Sequence, residues 1–248
     1  MTTCRHSRVH TAISAKNIFT VKNMNNVLNI YYYMYSFIYL GNNSVLSEEI
    51  YRQKRYGKVY SVIRANGPIP KTGNVTLMNI HVDADRSLVS LITMIFPSPD
   101  WFLGISNVDM CNRTTGEWKD SLDRDLFPYD SGTDDGISFE SDDAPSNPRK
   151  NIFLIGKDDD TNFKSNSAIK RLGTFKFSKI PTKACKGKAY YSLTFNAEWS
   201  NETHPSPVFP TNAKFSPLIG ATHNMYYEMW RRGRMASPGV QLVAETGN

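Results

Sequence analysis

From Val45 onward the apolar positions fall into short runs, alternating or continuous, separated by turn residues. Val59-Tyr60-Ser61-Val62-Ile63 predicts a strand. The loop Asn66-Gly67-Pro68-Ile69-Pro70 ends it, because Gly and Pro interrupt extended segments. Val75 to Val82 alternates and runs into the acidic corner Asp83-Ala84-Asp85. Ser87 to Phe96 (SLVSLITMIF) is nearly continuous and β-branched, the pattern of a strand covered on both faces, and Pro97 stops it. Phe102 to Asn107, Arg124 to Phe127, Asn151 to Ile155, Gly173 to Phe177, Tyr190 to Phe195 and Val240 to Ala244 predict further strands. Thr222 to Arg231, just before the Gly233 turn, predicts one short helix. Many strands, punctuated loops and little helix predict an all-β fold, an antiparallel β-sandwich.

The first forty residues break this pattern. They open polar and basic (MTTCRHSRVHTAISAKN), and their apolar stretch, Val27 to Leu40, is too short to span a bilayer and is interrupted by Asn29. Two readings stand: a signal core displaced from the start, flanked by Lys16 and Lys22, or a poorly ordered extension. The Asn-rich and Tyr-rich composition, unlike everything downstream, favours the extension, so the chain divides into residues 1–41 and one domain over 42–248.

Composition narrows the class. With 40% hydrophobic residues the 248-residue chain can bury a core, which excludes wholesale disorder, and 15 Gly with 13 Pro weigh against a helical bundle. The net charge of +6 is scattered along the chain and suits a basic extracellular protein at least as well as a nucleic-acid binder. Cys4, Cys111 and Cys185 lack the close spacing of a zinc or redox motif; one disulfide and one odd thiol is the simplest arithmetic. Sequons at Asn42, Asn74, Asn112 and Asn201 allow glycosylation in the secretory pathway. His204 and His223 have no nucleophile at a recognisable spacing, and no phosphate loop or metalloprotease pattern occurs, so no enzyme is expected. Asp100, and Asp130, Asp134 and Asp135 in PYDSGTDDG, lie in loops between strands. Such carboxylates converge on a hard cation if the loops meet, and are otherwise ordinary turn formers.

PSPDWFLG at Pro97 to Gly104, then Cys111, Trp118 and LFPYDSGTDDG at Leu126 to Gly136, resemble the spondin domain family, represented by F-spondin and mindin. A second block resembles the same family: YYSLTFNAEWS at Tyr190 to Ser200, His204-Pro205, FSPLIGATHN at Phe215 to Asn224, Met229-Trp230, and Ala236 to Gly247. The order is reversed. Residues 42–180 resemble the family's C-terminal half and 185–248 its N-terminal half, and Val243 to Asn248 would run naturally into Asn43 to Ile50. A circular permutation, a tandem array cut across two domains, or coding segments assembled out of order would each produce this. Because sandwich packing does not depend on chain order, one intact sandwich is expected over 44–248; distant ends would instead make the halves swap between molecules.

The resemblance implies a sandwich similar to calcium-dependent lipid-binding domains, with Ca²⁺ held by Asp100 and Asp130 and with Asp134 in reserve. A further acid of some members falls on His81 here. That side chain is read as a core or surface histidine, and Asp83, two residues on, is the substitute ligand, because Ca²⁺ prefers oxygen. Cys111 and Cys185 match the family's core disulfide, which leaves Cys4 unpaired. The implied function is a secreted, non-enzymatic adhesion module of the extracellular matrix whose partner is a matrix or cell-surface protein or glycan, with no nucleic acid and no membrane span. The alternative is peripheral binding of anionic glycans or membrane surfaces through Arg231, Arg232 and Arg234.

Overall fold

The computed structural model describes residues 44–156, 163–165, 168–181, 187–206 and 208–247; the extension over 1–41, Cys4, Asn42 and Cys185 lie outside them. Helix α1 (Ser44–Arg55) leads into β1 (Val59–Arg64), the short β2 (Ile69–Pro70), β3 (Thr72–Asp83), β4 (Leu88–Phe96) and β5 (Trp101–Asp109). A ribbon of β6 (Cys111–Asn112) and β7 (Glu117–Trp118) precedes β8 (Ser121–Leu126), β9 (Tyr129–Asp130) and β10 (Phe153–Leu154). A second ribbon, β11 (Lys164–Ser165) and β12 (Ala168–Ile169), is followed by β13 (Gly173–Lys179), β14 (Lys188–Glu198), β15 (Lys214–Phe215), β16 (Ile219–His223) and helix α2 (Pro238–Thr246).

The strands pair antiparallel into two main sheets. One has the order β1-β16-β4-β5-β9-β10, with β15 beside β4 and β2 beside β15; the other runs β3-β14-β13-β8. In β14 buried and half-buried residues alternate over the whole strand, so one face meets the core and the other meets water. β4 is different. Every residue from Val89 to Ile95 is buried. Val89, Leu91 and Ile95 join Phe175, Phe177, Leu193 and Phe195 in the core between the sheets. Ile92 points the other way, into a second core with Leu46 and Ile50 of α1 and Val240, Val243 and Ala244 of α2. The cover expected on both faces of this strand is thus one sheet and two helices. Exposing a large apolar side chain costs about 1.5–3 kcal/mol, against a net domain stability of about 5–15 kcal/mol, so stripping off the helices would be enough to unfold the sandwich.

The helices are not where the pattern placed one. Over the expected Thr222 to Arg231, Thr222 and His223 are committed to ladders with β1 and β4, and the chain then proceeds by turns that sink Tyr227, Met229 and Trp230 into the second core. Val240 to Ala244, expected as a strand, is helical. The Ser237 side chain accepts from the Val240 N–H, Pro238 opens the first turn, and Gly247 at φ 73° closes the last. Helix α1 carries no start signal strong enough to outweigh its charged residues, yet Leu46 and Ile50, one turn apart, are fully buried. The described residues therefore hold two short helices rather than one.

The two sequence blocks are interleaved. β16 lies between β1 and β4, and β14 lies between β3 and β13. Glu49 of α1 accepts from the Ser237 hydroxyl (2.7 Å) and the Gly239 N–H (2.9 Å), tying one helix to the start of the other.

Candidate metal centre

The turn Pro97-Ser98-Pro99-Asp100 delivers Asp100 to the start of β5. The Ser98 hydroxyl accepts the Trp101 N–H at 3.1 Å, which fixes that turn. β5 pairs with β9, placing Trp101 opposite Asp130, so Asp100 and Asp130 meet at one end of the sandwich. Asp100 is fully buried. Its Oδ2 accepts from the Thr133 N–H (2.8 Å), the Ser131 hydroxyl (3.0 Å), the Asp134 N–H (3.1 Å) and the Thr133 hydroxyl (3.3 Å). Its Oδ1 is buried with no partner among the described residues.

Burial pushes the Asp100 carboxyl above its ordinary range, and the donors from Thr133, Asp134 and Ser131 only partly offset this. Asp130 is pushed up to about 7, first by burial and then by the negative charge of Asp100; the Gly132 N–H, the Trp101 side chain and Lys150 pull the other way. The loop that supplies these donors depends on Gly132. Its φ is +74°, and a Cβ there would stand 2.4 Å from the Lys150 carbonyl oxygen.

The other expected ligands are placed differently. Asp134 turns both oxygens into its own loop, accepting from the Gly136 N–H (2.7 Å) and the Ala144 N–H (2.9 Å), and reaches the site only through its backbone N–H. Asp83 precedes the start of β4 whereas Asp100 follows its end, so the length of that strand, about 30 Å, separates them. The Asp83 carboxylate is engaged by Arg86. His81 packs edge-on against Tyr190, ring centroids 4.6 Å apart, as a half-buried side chain of β3. The structure thus joins Asp100 and Asp130, and not Asp83 or the Asp134 carboxylate. Ser131 and Thr133 were missed from the sequence; the signal for them was the pair of small hydroxyl residues flanking the glycine of PYDSGTDDG.

A buried carboxylate oxygen without a partner, next to a second acid that resists ionisation, is a place where negative charge lacks compensation. A hard cation fits that donor set. No third acid, histidine or cysteine joins the pair among the described residues, so carbonyls, hydroxyls or water would complete the shell.

Arg231, Arg232 and Arg234 are exposed, and Arg231 pairs with Glu228 at 3.0 Å. Their segment is anchored on the hairpin that carries Asp130. Trp230 Nε1 donates to the Leu91 carbonyl (3.1 Å) and its ring meets Phe102 and Tyr129, while the Gly233 N–H donates to the Ile152 carbonyl (2.8 Å). Cys111 is disulfide-bonded, and Cys185 lies outside the described residues. Asn74, Asn112 and Asn201 are exposed. His223 Nε2 lies 2.8 Å from the Ser90 hydroxyl, but both residues are fully buried and that hydroxyl also accepts the Asn107 N–H, so the contact is internal packing.

The family model Spondin_N matches residues 6–168 and 189–248. Spondin-1 of Rattus norvegicus is 36% identical over 118 residues, 46% of this chain and 14% of the relative. Spondin-2 of Rattus norvegicus is 38% identical over 87 residues, 35% of this chain and 26% of the relative, and Spondin-2 of Homo sapiens is 36% identical over 87 residues. The aligned part thus spans about a seventh to a quarter of these relatives. No described helix is long and apolar enough to cross a membrane. With the family pattern matched over most of the sequence, and with strands from both matched segments interleaved in both sheets, the chain belongs to the Spondin_N family.

Proposed function

We propose that this chain is an extracellular, non-enzymatic adhesion module whose Asp100–Asp130 pair holds Ca²⁺. The observation that carries the reading is the buried, unpartnered Oδ1 of Asp100 beside the Asp130 carboxylate. Bound there, the cation would supply positive charge to two acids forced together. It would tie the start of β5 to the loop after β9, and so stiffen one rim of the sandwich for contact with a matrix or cell-surface partner. The family relationship supports the extracellular setting, as do the exposed sequons Asn74, Asn112 and Asn201 and the disulfide at Cys111. The matching partner for that cysteine is Cys185.

Melting temperatures with Ca²⁺ and with a chelator test the reading. Chelation should lower the melting temperature of the wild type by several degrees, and this shift should shrink to near zero in Asp100→Asn and Asp130→Asn. Asp134→Asn should keep most of the shift, because its carboxylate serves its own loop. A chelator shift of equal size in all four proteins would remove Asp100 and Asp130 as ligands.

A second reading rests on the Arg231–Arg234 segment, which is exposed and docked on the Asp130 hairpin. It is a peripheral site for anionic glycans. Arg232→Ala and Arg234→Ala should elute from heparin at lower salt than the wild type, and unchanged elution would end this reading.

A further inference from the structure

We propose that Asn74 carries an N-linked glycan that closes the open edge of the β3-β14-β13-β8 sheet against pairing with a second chain; the proposal rests on the extracellular setting argued above. β3 is an edge strand with β14 on one side only. Exposed edges invite intermolecular pairing and are ordinarily guarded by charge, proline, bulges or covering elements. The opposite edge of this sheet, β8, has Asp123, Arg124 and Asp125. The edge of the facing sheet, β1, is bulged between Val59 and Ser61 and ends in Arg64. In β3 the stretch from Thr72 to Val82 contains no Lys, Arg, Asp, Glu or Pro.

Part of that stretch is protected by shape. The register with β14 shifts between Leu77 and Ile80, and Asn79 sits at φ 62°, so the strand bends there, and Thr76 to Ile80 share a cleft with Val62 to Arg64 of β1. The uncharged remainder, Thr72 to Val75, contains Asn74 and stays in unbroken register with β14, with Gly73 at φ 105°. Asn74 is opposite Asn196 and Thr76 opposite Thr194, with the two threonine hydroxyls 3.0 Å apart, so the sequon's Asn and Thr both stand on the outer face. Val75 and Leu77 pack inward against the core. Asn74 is exposed and its side chain makes no hydrogen bond among the described residues, which leaves the amide nitrogen accessible to a sugar. A branched glycan at this point would stand over the uncharged, regularly paired part of the edge, doing sterically what charges do on β8.

The test uses the full chain exported from a glycosylating cell, with glycopeptide mass analysis at each sequon and sedimentation over a concentration series. Asn74 should carry sugar. Asn74→Gln should self-associate at a concentration at least about tenfold below the wild type while melting as a folded protein. Asn74→Asp loses the sugar but gains an edge charge and should stay monomeric, as should Asn201→Gln, which removes a glycan elsewhere. A bare Asn74 on a chain modified at Asn112 or Asn201, or an Asn74→Gln protein as monomeric as the wild type, would overturn the proposal alone. A chain with no sugar at any sequon would overturn it together with the extracellular reading.

Discussion

The hydrogen bonds that hold the Asp100 carboxylate depend on a residue that makes none of them. Gly132 adopts φ +74°, and the Lys150 carbonyl passes 2.4 Å from where its Cβ would be. Gly132→Ala therefore meets an unfavourable backbone conformation and a backbone clash together. It should cost more than about 1 kcal/mol, lowering the melting temperature by at least about 2–4 °C for a domain of this size. Because Ser131, Thr133 and Asp134 belong to the same turn, Ca²⁺ titration by calorimetry should show weakened binding in the same variant. The family motif picked out Asp100 and Asp130, the two carboxylates that the fold brings together. It could not assign Asp134, since an aspartate that caps its own loop and one that binds a cation are the same letter in the same Gly-rich turn. Asp83 was drawn in by proximity along the chain, but strand geometry carries it to the far end of β4.

At the scale of the element, strands were legible where burial is periodic. The clean alternation of β14 and the unbroken run of β4 both follow from the faces they present to the core. Helices were not. Val240, Val243 and Ala244 read as a β-branched run until Ser237, Pro238 and Gly247 are weighed as start and stop signals, and these outrank the propensity of two valines. The residues around Thr222 failed in the opposite direction. Their helical spacing is real, but the ladder to β1 and β4 satisfies the backbone of Thr222 and His223, so tertiary pairing prevails over local pattern.

Among the described residues of the whole molecule, two imidazoles are buried, those of His204 and His223. His223 and His204 are both held below their ordinary pKa, chiefly by burial, so folding favours the neutral imidazole at both. An unfolded histidine takes a proton near pH ~6.5. Below that value the unfolded chain binds more protons, and stability falls as pH falls. The raised carboxyls of Asp100 and Asp130 act with the opposite sign, so the histidine contribution is best isolated by difference. His223→Asn should melt lower than the wild type at pH 7.5, but its melting temperature should decline less steeply between pH 7 and pH 5.5. Parallel declines would mean that His223 titrates alike in both states.

The placement of β16 between β1 and β4, and of β14 between β3 and β13, has a consequence for how the protein would come apart. A protease nick in the connection from β13 to β14 would sever the peptide yet liberate neither piece, since β14 and β16 of the C-terminal piece each stay paired between two strands of the N-terminal piece. With the disulfide reduced, the nicked protein should still migrate as one species in native buffer and as two under denaturing conditions, and neither fragment alone should recover a sandwich.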